Sequence, residues 1–209
     1  MRDVSWERVS PSLYSADPLR LWEEVHLAQS AGARSLHFDV MDGYFAPEIG
    51  LNQRILREVS SRTDLPIHVH LMVRDPLAFV ERFALEGVSH LAIHSEAQGF
   101  KSVLLTIARI REFGKSPLLA ISPETAIGGL VELLEFVDGA VVMACDPGVA
   151  NARYIPGTVA RVAELRGRVG DRDFEILVDG DINPERLSEC LAAGATLGVM
   201  GRGFFLRNG

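Results

Sequence analysis

The sequence predicts one (β/α)8 TIM barrel occupying residues 1–209, on three observations. Short, nearly continuous apolar runs alternate with longer amphipathic ones along the whole chain, as buried parallel strands alternate with helices. Eight such pairs at roughly 26 residues each fit a compact barrel, whose range begins near 200 residues. No glycine follows the first strand candidate within Ser10–Asp17, where an open dinucleotide-binding sheet would carry its glycine-rich turn.

The strand candidates, in order, are Ser10–Tyr14, Ser35–Val40, Ile67–Met72, His90–His94, Pro117–Ile121, Gly139–Met143, Glu175–Val178 and Leu197–Met200. Each is short and rich in Val, Ile or Leu, the pattern of a strand covered on both faces. Helices are expected over Pro18–Ser30, Leu51–Arg62, Pro76–Glu86, Phe100–Phe113, Ile127–Phe136, Pro156–Arg166 and Pro184–Ala193. Several open on proline and close near Gly32, Gly87, Gly114 or Gly194, the punctuation that favours helix starts and stops. After the last strand only Arg202–Gly209 remain, so the eighth helix is expected to be short or absent. Either a partner subunit covers the gap, which makes a homo-oligomer the expectation, or the chain is truncated there.

Composition narrows the class. Hydrophobic residues make up 47% and charged residues 23%, which excludes disorder and low complexity. The longest apolar stretches, such as Pro117–Ile121 and Gly139–Cys145, fall far short of the roughly 18 residues of a membrane span. Met1–Arg8 carries charges of both signs and no apolar core, unlike a secretory signal. Cys145 and Cys190 lack ligand-pair or redox spacing, which fits a reduced, cytoplasmic protein. A net charge of −7 argues against binding nucleic acid by phosphate neutralisation, while leaving a small anionic substrate open.

A barrel of this type places its chemistry at the C-terminal ends of the strands. Those ends carry Ser10, Ser12, His37, Asp39, His70, His94, Glu96, Ser122, Met143 and Asp179. Residues two apart on a strand share a face, so His37 and Asp39 point together into the barrel mouth. With His70 and Asp179 they offer two imidazoles and two carboxylates, a plausible site for Zn²⁺, Fe²⁺, Co²⁺ or Mn²⁺. Taken singly, each of these residues is as easily a hydrogen-bonded core histidine or a helix-capping aspartate. Their convergence on one rim points to a site without naming its reaction.

The segments Ser10-Pro-Ser-Leu-Tyr-Ser-Ala-Asp17, His37-Phe-Asp-Val-Met-Asp-Gly-Tyr-Phe-Ala-Pro47, His70-Leu-Met72, His94-Ser-Glu96, Val142-Met143, Asp146-Pro-Gly148 and Val178-Asp-Gly180 resemble the ribulose-phosphate 3-epimerase family from about residue 8 to residue 205. The resemblance implies a metal-dependent isomerase that interconverts ribulose 5-phosphate and xylulose 5-phosphate through a metal-stabilised enediolate, with no organic cofactor. It implies His37, Asp39, His70 and Asp179 as ligands of one divalent ion, with Asp39 and Asp179 as the acid/base pair. By the same resemblance Ser12 would touch the substrate, and Met41, Met72 and Met143 would floor the cavity. Gly148, Gly180, Asp181, Gly201 and Arg202 would lie along the remainder of the sugar phosphate.

The chain departs from the family at the phosphate end. Its turn reads Asp146-Pro-Gly-Val-Ala-Asn-Ala-Arg153 in place of a Phe-Gly-Gly-Gln loop, Asp179-Gly-Asp181 in place of Asp-Gly-Gly, and Gly201-Arg202 in place of Gly-Ser. His68 stands where the family often has Asp, and Ser122 where it commonly has Asn. Either Asp181 caps the helix near Asn183 while Arg202 or Arg153 supplies positive charge, or Asp181 accepts hydrogen bonds from the hydroxyls of another ketose. A silent barrel kept as a scaffold is the reading from outside enzymology, and the intact ligand set weighs against it.

Overall fold

The computed structural model describes residues 5–208. Its strands are β1 (Val9–Pro11), β2 (Leu36–Met41), β3 (Ile67–Met72), β4 (Val88–His94), β5 (Ser116–Ile121), β6 (Gly139–Met143), β7 (Glu175–Asp179) and β8 (Leu197–Met200). All pair in parallel, β2 through β8 in chain order and β8 onto β1. The barrel closes where Ser12 bridges His37. Arg34 N–H donates to Val9 C=O at 3.2 Å along the same seam, and Ser35 Oγ donates to Ser10 Oγ at 2.8 Å. β1 has three residues; Ser12 N–H still donates to Met200 C=O at 3.0 Å, and the chain then enters a 3-10 turn at Leu13–Ser15. The strand expected to reach Tyr14 is therefore shorter.

The helices are α1 (Leu21–Ser30), α2 (Gln53–Ser60), α3 (Pro76–Phe83), α4 (Phe100–Glu112), α5 (Val131–Leu134), α6 (Thr158–Val169), α7 (Pro184–Ala192) and α8 (Arg202–Asn208). Asn52 caps α2 by accepting from the Arg54 and Ile55 amides, and Asn183 caps α7 by accepting from Arg186 N–H. The helix expected over Ile127–Phe136 resolves into a 3-10 turn at Ile127–Leu130 and the four-residue α5. Gly128 and Gly129 explain this, because adjacent glycines lose the most backbone freedom in a helix. No helix among the described residues is long and apolar enough to cross a membrane.

The eighth helix is present and short. Phe204 is fully buried and Phe205 nearly so, with the Phe204 ring edge-on to Trp6 at 5.2 Å. Each such burial contributes on the order of 2 kcal/mol. The chain itself thus covers the gap that a partner subunit was expected to fill.

Strand alternation divides the buried residues into two layers. Leu36, Phe38, Leu119, Ile121, Val142 and Val178 face outward into the shell between sheet and helices. Ala92, Leu118, Ala120, Val141, Met143, Leu177, Leu197 and Val199 form a separate cluster inside the barrel. That interior is apolar on the β5–β8 side. Across from it, β1–β4 bury Ser10, Ser12, His37, Asp39, His68, His70 and His94. This polar half positions the site.

Candidate metal and proton-transfer site

His37 and Asp39 alternate with Phe38 on β2, so both turn inward; His70 does the same on β3 and Asp179 ends β7. One ligand-type atom from each of the four lies within 4.8 Å of the others. His37 Nε2 is 3.2 Å from Asp39 Oδ1 and 3.6 Å from Asp179 Oδ2. His70 Nδ1 is 3.7 Å and 3.5 Å from the same two oxygens. Both nitrogens are buried and make no hydrogen bond. Two orphaned imidazole nitrogens aimed between two carboxylates form the donor set that a divalent ion of the Zn, Fe, Co or Mn type accepts.

Surrounding groups fix the orientation of this set. Ser12 Oγ donates to Asp39 Oδ2 at 2.6 Å and leaves Oδ1 to the histidines. His70 Nε2 lies 3.0 Å from His94 Nε2, and His94 Nδ1 lies 3.2 Å from Glu96 Oε2. The Glu96 carboxylate accepts from Ser122 N–H at 2.9 Å and from the Thr125 hydroxyl. When His94 donates to Glu96, its Nε2 accepts from His70, and His70 Nδ1 is left as the coordinating atom.

Electrostatics follow from this packing. Burial alone would raise Asp39, but His37 and His70 beside it hold its carboxyl well below the ordinary carboxylate range. Burial opposes the charged form of His70, yet Asp179 and Asp39 outweigh it and lift His70 to about 9. His94 has the opposite balance: burial, more than any partner, pushes it down to about 4. Burial would raise Glu96, but His94 and Thr125 bring it to about 2.

A cavity of about 390 Å³ opens above the cluster. Ser12, Asp39, Met41, Met72, Met143 and Asp179 line its inner end, and His37 and His70 are buried beneath. Gly148, Gly180, Asp181, Gly201 and Arg202 line its outer end. At Gly148 (φ +64°) a Cβ would stand 2.5 Å from Ala46 Cβ and 2.8 Å from Met41 Sδ, so only glycine lets this turn close over the methionine.

The outer end corrects one expectation and agrees with another. Asp181 does not cap α7, since Asn183 does. Nor is its carboxylate bare: Arg186 donates to Asp181 Oδ2 at 2.7 Å and Arg202 sits 3.8 Å from Oδ1. Arg202 also donates to Asn151 Oδ1 at 2.7 Å. Asn151 (φ +56°) and Asp181 (φ +49°) both occupy the left-handed region, which these two residue types tolerate better than most. Tyr14, Glu48 and Asn151 also line the cavity; sequence reasoning passed over them, and over Arg186. Only the i, i+5 offset of Arg186 from Asp181, across a helix start, could have suggested that pair.

The family model described as "Ribulose-phosphate 3 epimerase family" matches residues 8–205. The chain is 34% identical to the ribulose-phosphate 3-epimerase of Synechocystis sp., over 94% of this chain and 86% of that protein. Identity to the Escherichia coli K12 enzyme of that name is 34%, over 94% and 88%. For the Bacillus subtilis enzyme it is 32%, over 93% and 90%. Among solved structures, the tryptophan synthase complex from Pyrococcus furiosus superposes with a TM-score of 0.69 at 13% identity, covering 94% of this chain and 87% of that one. That likeness bears on the fold alone.

Proposed function

We propose, for a chain that belongs to the ribulose-phosphate 3-epimerase family, that it interconverts D-ribulose 5-phosphate and D-xylulose 5-phosphate with Asp39 and Asp179 as its two proton carriers. One observation carries this reading: two carboxylates flank the same pair of unpartnered imidazole nitrogens at the inner end of a sugar-sized cavity. Inversion at C3 needs a base on one face of the carbon and an acid on the other. Asp39 is kept ionised by its histidine neighbours, which suits it to take the C3 proton. Asp179, the more accessible of the two, delivers a proton to the opposite face, and the roles exchange in the reverse direction. Ser12 holds Asp39 in place, while Met41, Met72 and Met143 exclude water from the reacting carbons.

His37, Asp39, His70 and Asp179 would hold one divalent ion, which supplies Lewis-acid stabilisation of the charge that develops on the sugar. No organic cofactor enters the scheme. Arg202, with Arg186 behind it, supplies positive charge for the phosphate at the outer end. The paired Asp181 is part of that arrangement; a free carboxylate there would repel the substrate. Cys145 lines the cavity as a protonated thiol, pushed up to about 12 by burial and by Asp179, Asp181 and Asp146, and takes no part.

A second reading, a specialised 3-epimerase of another ketose, draws on Asp181 and Asn151, two hydrogen-bonding side chains on the cavity wall. The test is proton NMR of epimer formation on a panel of phosphorylated and unphosphorylated ketoses, with Zn²⁺, Fe²⁺, Co²⁺ or Mn²⁺ supplied in turn. Conversion of ribulose 5-phosphate at the highest kcat/KM supports the first reading, and preference for any other ketose replaces it with the second. A cytoplasmic location agrees with two free, buried cysteines. Exposed Leu19, Tyr44 and Ile49 supply apolar surface for the expected homo-oligomer, and sedimentation as a clean monomer at micromolar concentration would end that expectation.

A further inference from the structure

The opposite end of the barrel holds a second convergence of ligand-type side chains. His68, His90 and Glu175 each place one ligand-type atom within 4.8 Å of the other two. They lie on β3, β4 and β7, and His68 and Glu175 stand two and four positions before His70 and Asp179, hence on the same inward face. A bulge brings the histidines together. Register shifts between Ile67 and His68, so that Ile67 faces Val88 but His68 faces His90, with Ser89 the extra residue. The two rings lie edge to face at 4.4 Å.

The pairing left over is what identifies a ligand. His68 is buried and its Nδ1 has no hydrogen-bond partner; neither does the buried Oε2 of Glu175. Glu175 Oε2 lies 3.7 Å from His90 Nε2. Arg34 occupies only the other carboxylate oxygen, Oε1, at 2.8 Å. His90 Nδ1 is 2.9 Å from Ser89 Oγ, an outer contact that fixes the ring and leaves Nε2 turned toward Glu175. Buried polar atoms without partners are rare, and two of the three side chains in this cluster carry one, which calls for a partner not supplied by the protein. Two imidazoles and one carboxylate are the protein ligands of an open zinc site, whose fourth position a water fills. His90 and Glu175 retain partial exposure, at 19% and 21% of their side chains, which gives an ion an entry from the barrel floor.

We propose that His68, His90 and Glu175 form a second divalent-metal site, of the zinc class, that ties β3, β4 and β7 together at the floor of the barrel and is separate from the rim site. It touches neither the cavity nor the reacting atoms, so its role is structural.

Metal analysis after equilibrium dialysis of the full chain against micromolar Zn²⁺ tests it. Wild type is expected to hold two ions per chain, and His90→Gln and Glu175→Gln one each, with epimerisation by His90→Gln unchanged. The rim variant Asp39→Asn/Asp179→Asn should keep the floor ion. Equal zinc content in wild type and His90→Gln overturns the proposal, whatever the rim holds. Should the variants fail to fold, anomalous diffraction at the zinc edge from Zn²⁺-soaked wild-type crystals decides. A peak between the three side chains is expected, and a floor without a peak, filled by water or direct contacts, refutes it.

Discussion

The rim and the floor of this barrel share β3 and β7 and nearly the same residue types, yet only the rim carries two carboxylates. At the rim, β2, β3 and β7 contribute two imidazoles and two carboxylates, beneath a cavity of about 390 Å³. At the floor, β3, β4 and β7 contribute two imidazoles and one carboxylate, which is already shared with Arg34. The difference is one acid. A single carboxylate with two histidines suffices to hold an ion, whereas inversion of a carbon needs a carrier on each face.

Removing the second carrier breaks the comparison most severely. Asp179→Asn keeps shape and removes the exchangeable proton; kcat is expected to fall about 10³-fold, with far-ultraviolet circular dichroism unchanged. Steady-state epimerisation checks this, and retained turnover would make the rim no more than a second floor.

Acid should weaken the rim's support next. In the fold His94 titrates at about 4, below the unfolded value near 6.5. The unfolded chain therefore binds the proton first, so this stability is complete above pH 6.5 and is lost progressively as pH falls toward 4. The loss is about 3 kcal/mol by the end of that window. Thermal melts of the metal-free protein at pH 7 and pH 4.5 should show it, and His94→Gln should flatten the difference.

His70 titrates the other way. At about 9 it is an imidazolium at neutral pH, so uptake of an ion at the rim must expel a proton. Apparent rim affinity should fall about tenfold per pH unit below 9, and calorimetry in buffers of different ionisation enthalpy should register one proton released. Smallest is the effect at the outer end. Arg202→Ala should raise KM about tenfold while moving kcat little, because a single charge-assisted contact contributes about 1.5 kcal/mol. A fall in kcat without a rise in KM would detach Arg202 from the phosphate.

The rim was legible in the sequence because strand period alone sets His37 and Asp39 on one face and barrel topology sets His70 and Asp179 beside them. The floor was not. Bringing His90 opposite His68 depends on an extra residue, Ser89, and apolar periodicity gives no sign of a bulge. The outer end was half legible: Gly148, Gly180, Asp181, Gly201 and Arg202 do line one cavity. The hydrogen-bonded partner of Asp181, however, is Arg186 on α7, and residue 181 itself adopts a left-handed conformation. Likewise the short last segment read as a gap, when Phe204 against Trp6 closes it through contacts distant in the chain.

The most direct test of the account is deuterium incorporation into ribulose 5-phosphate in heavy water, located by mass spectrometry, for the metal-supplied wild type and for Asp39→Asn and Asp179→Asn. The account predicts one deuterium at C3 with wild type, and product formation lost in both variants. Label at another carbon, or wild-type turnover surviving in both variants, would contradict a two-carboxylate epimerase at the rim.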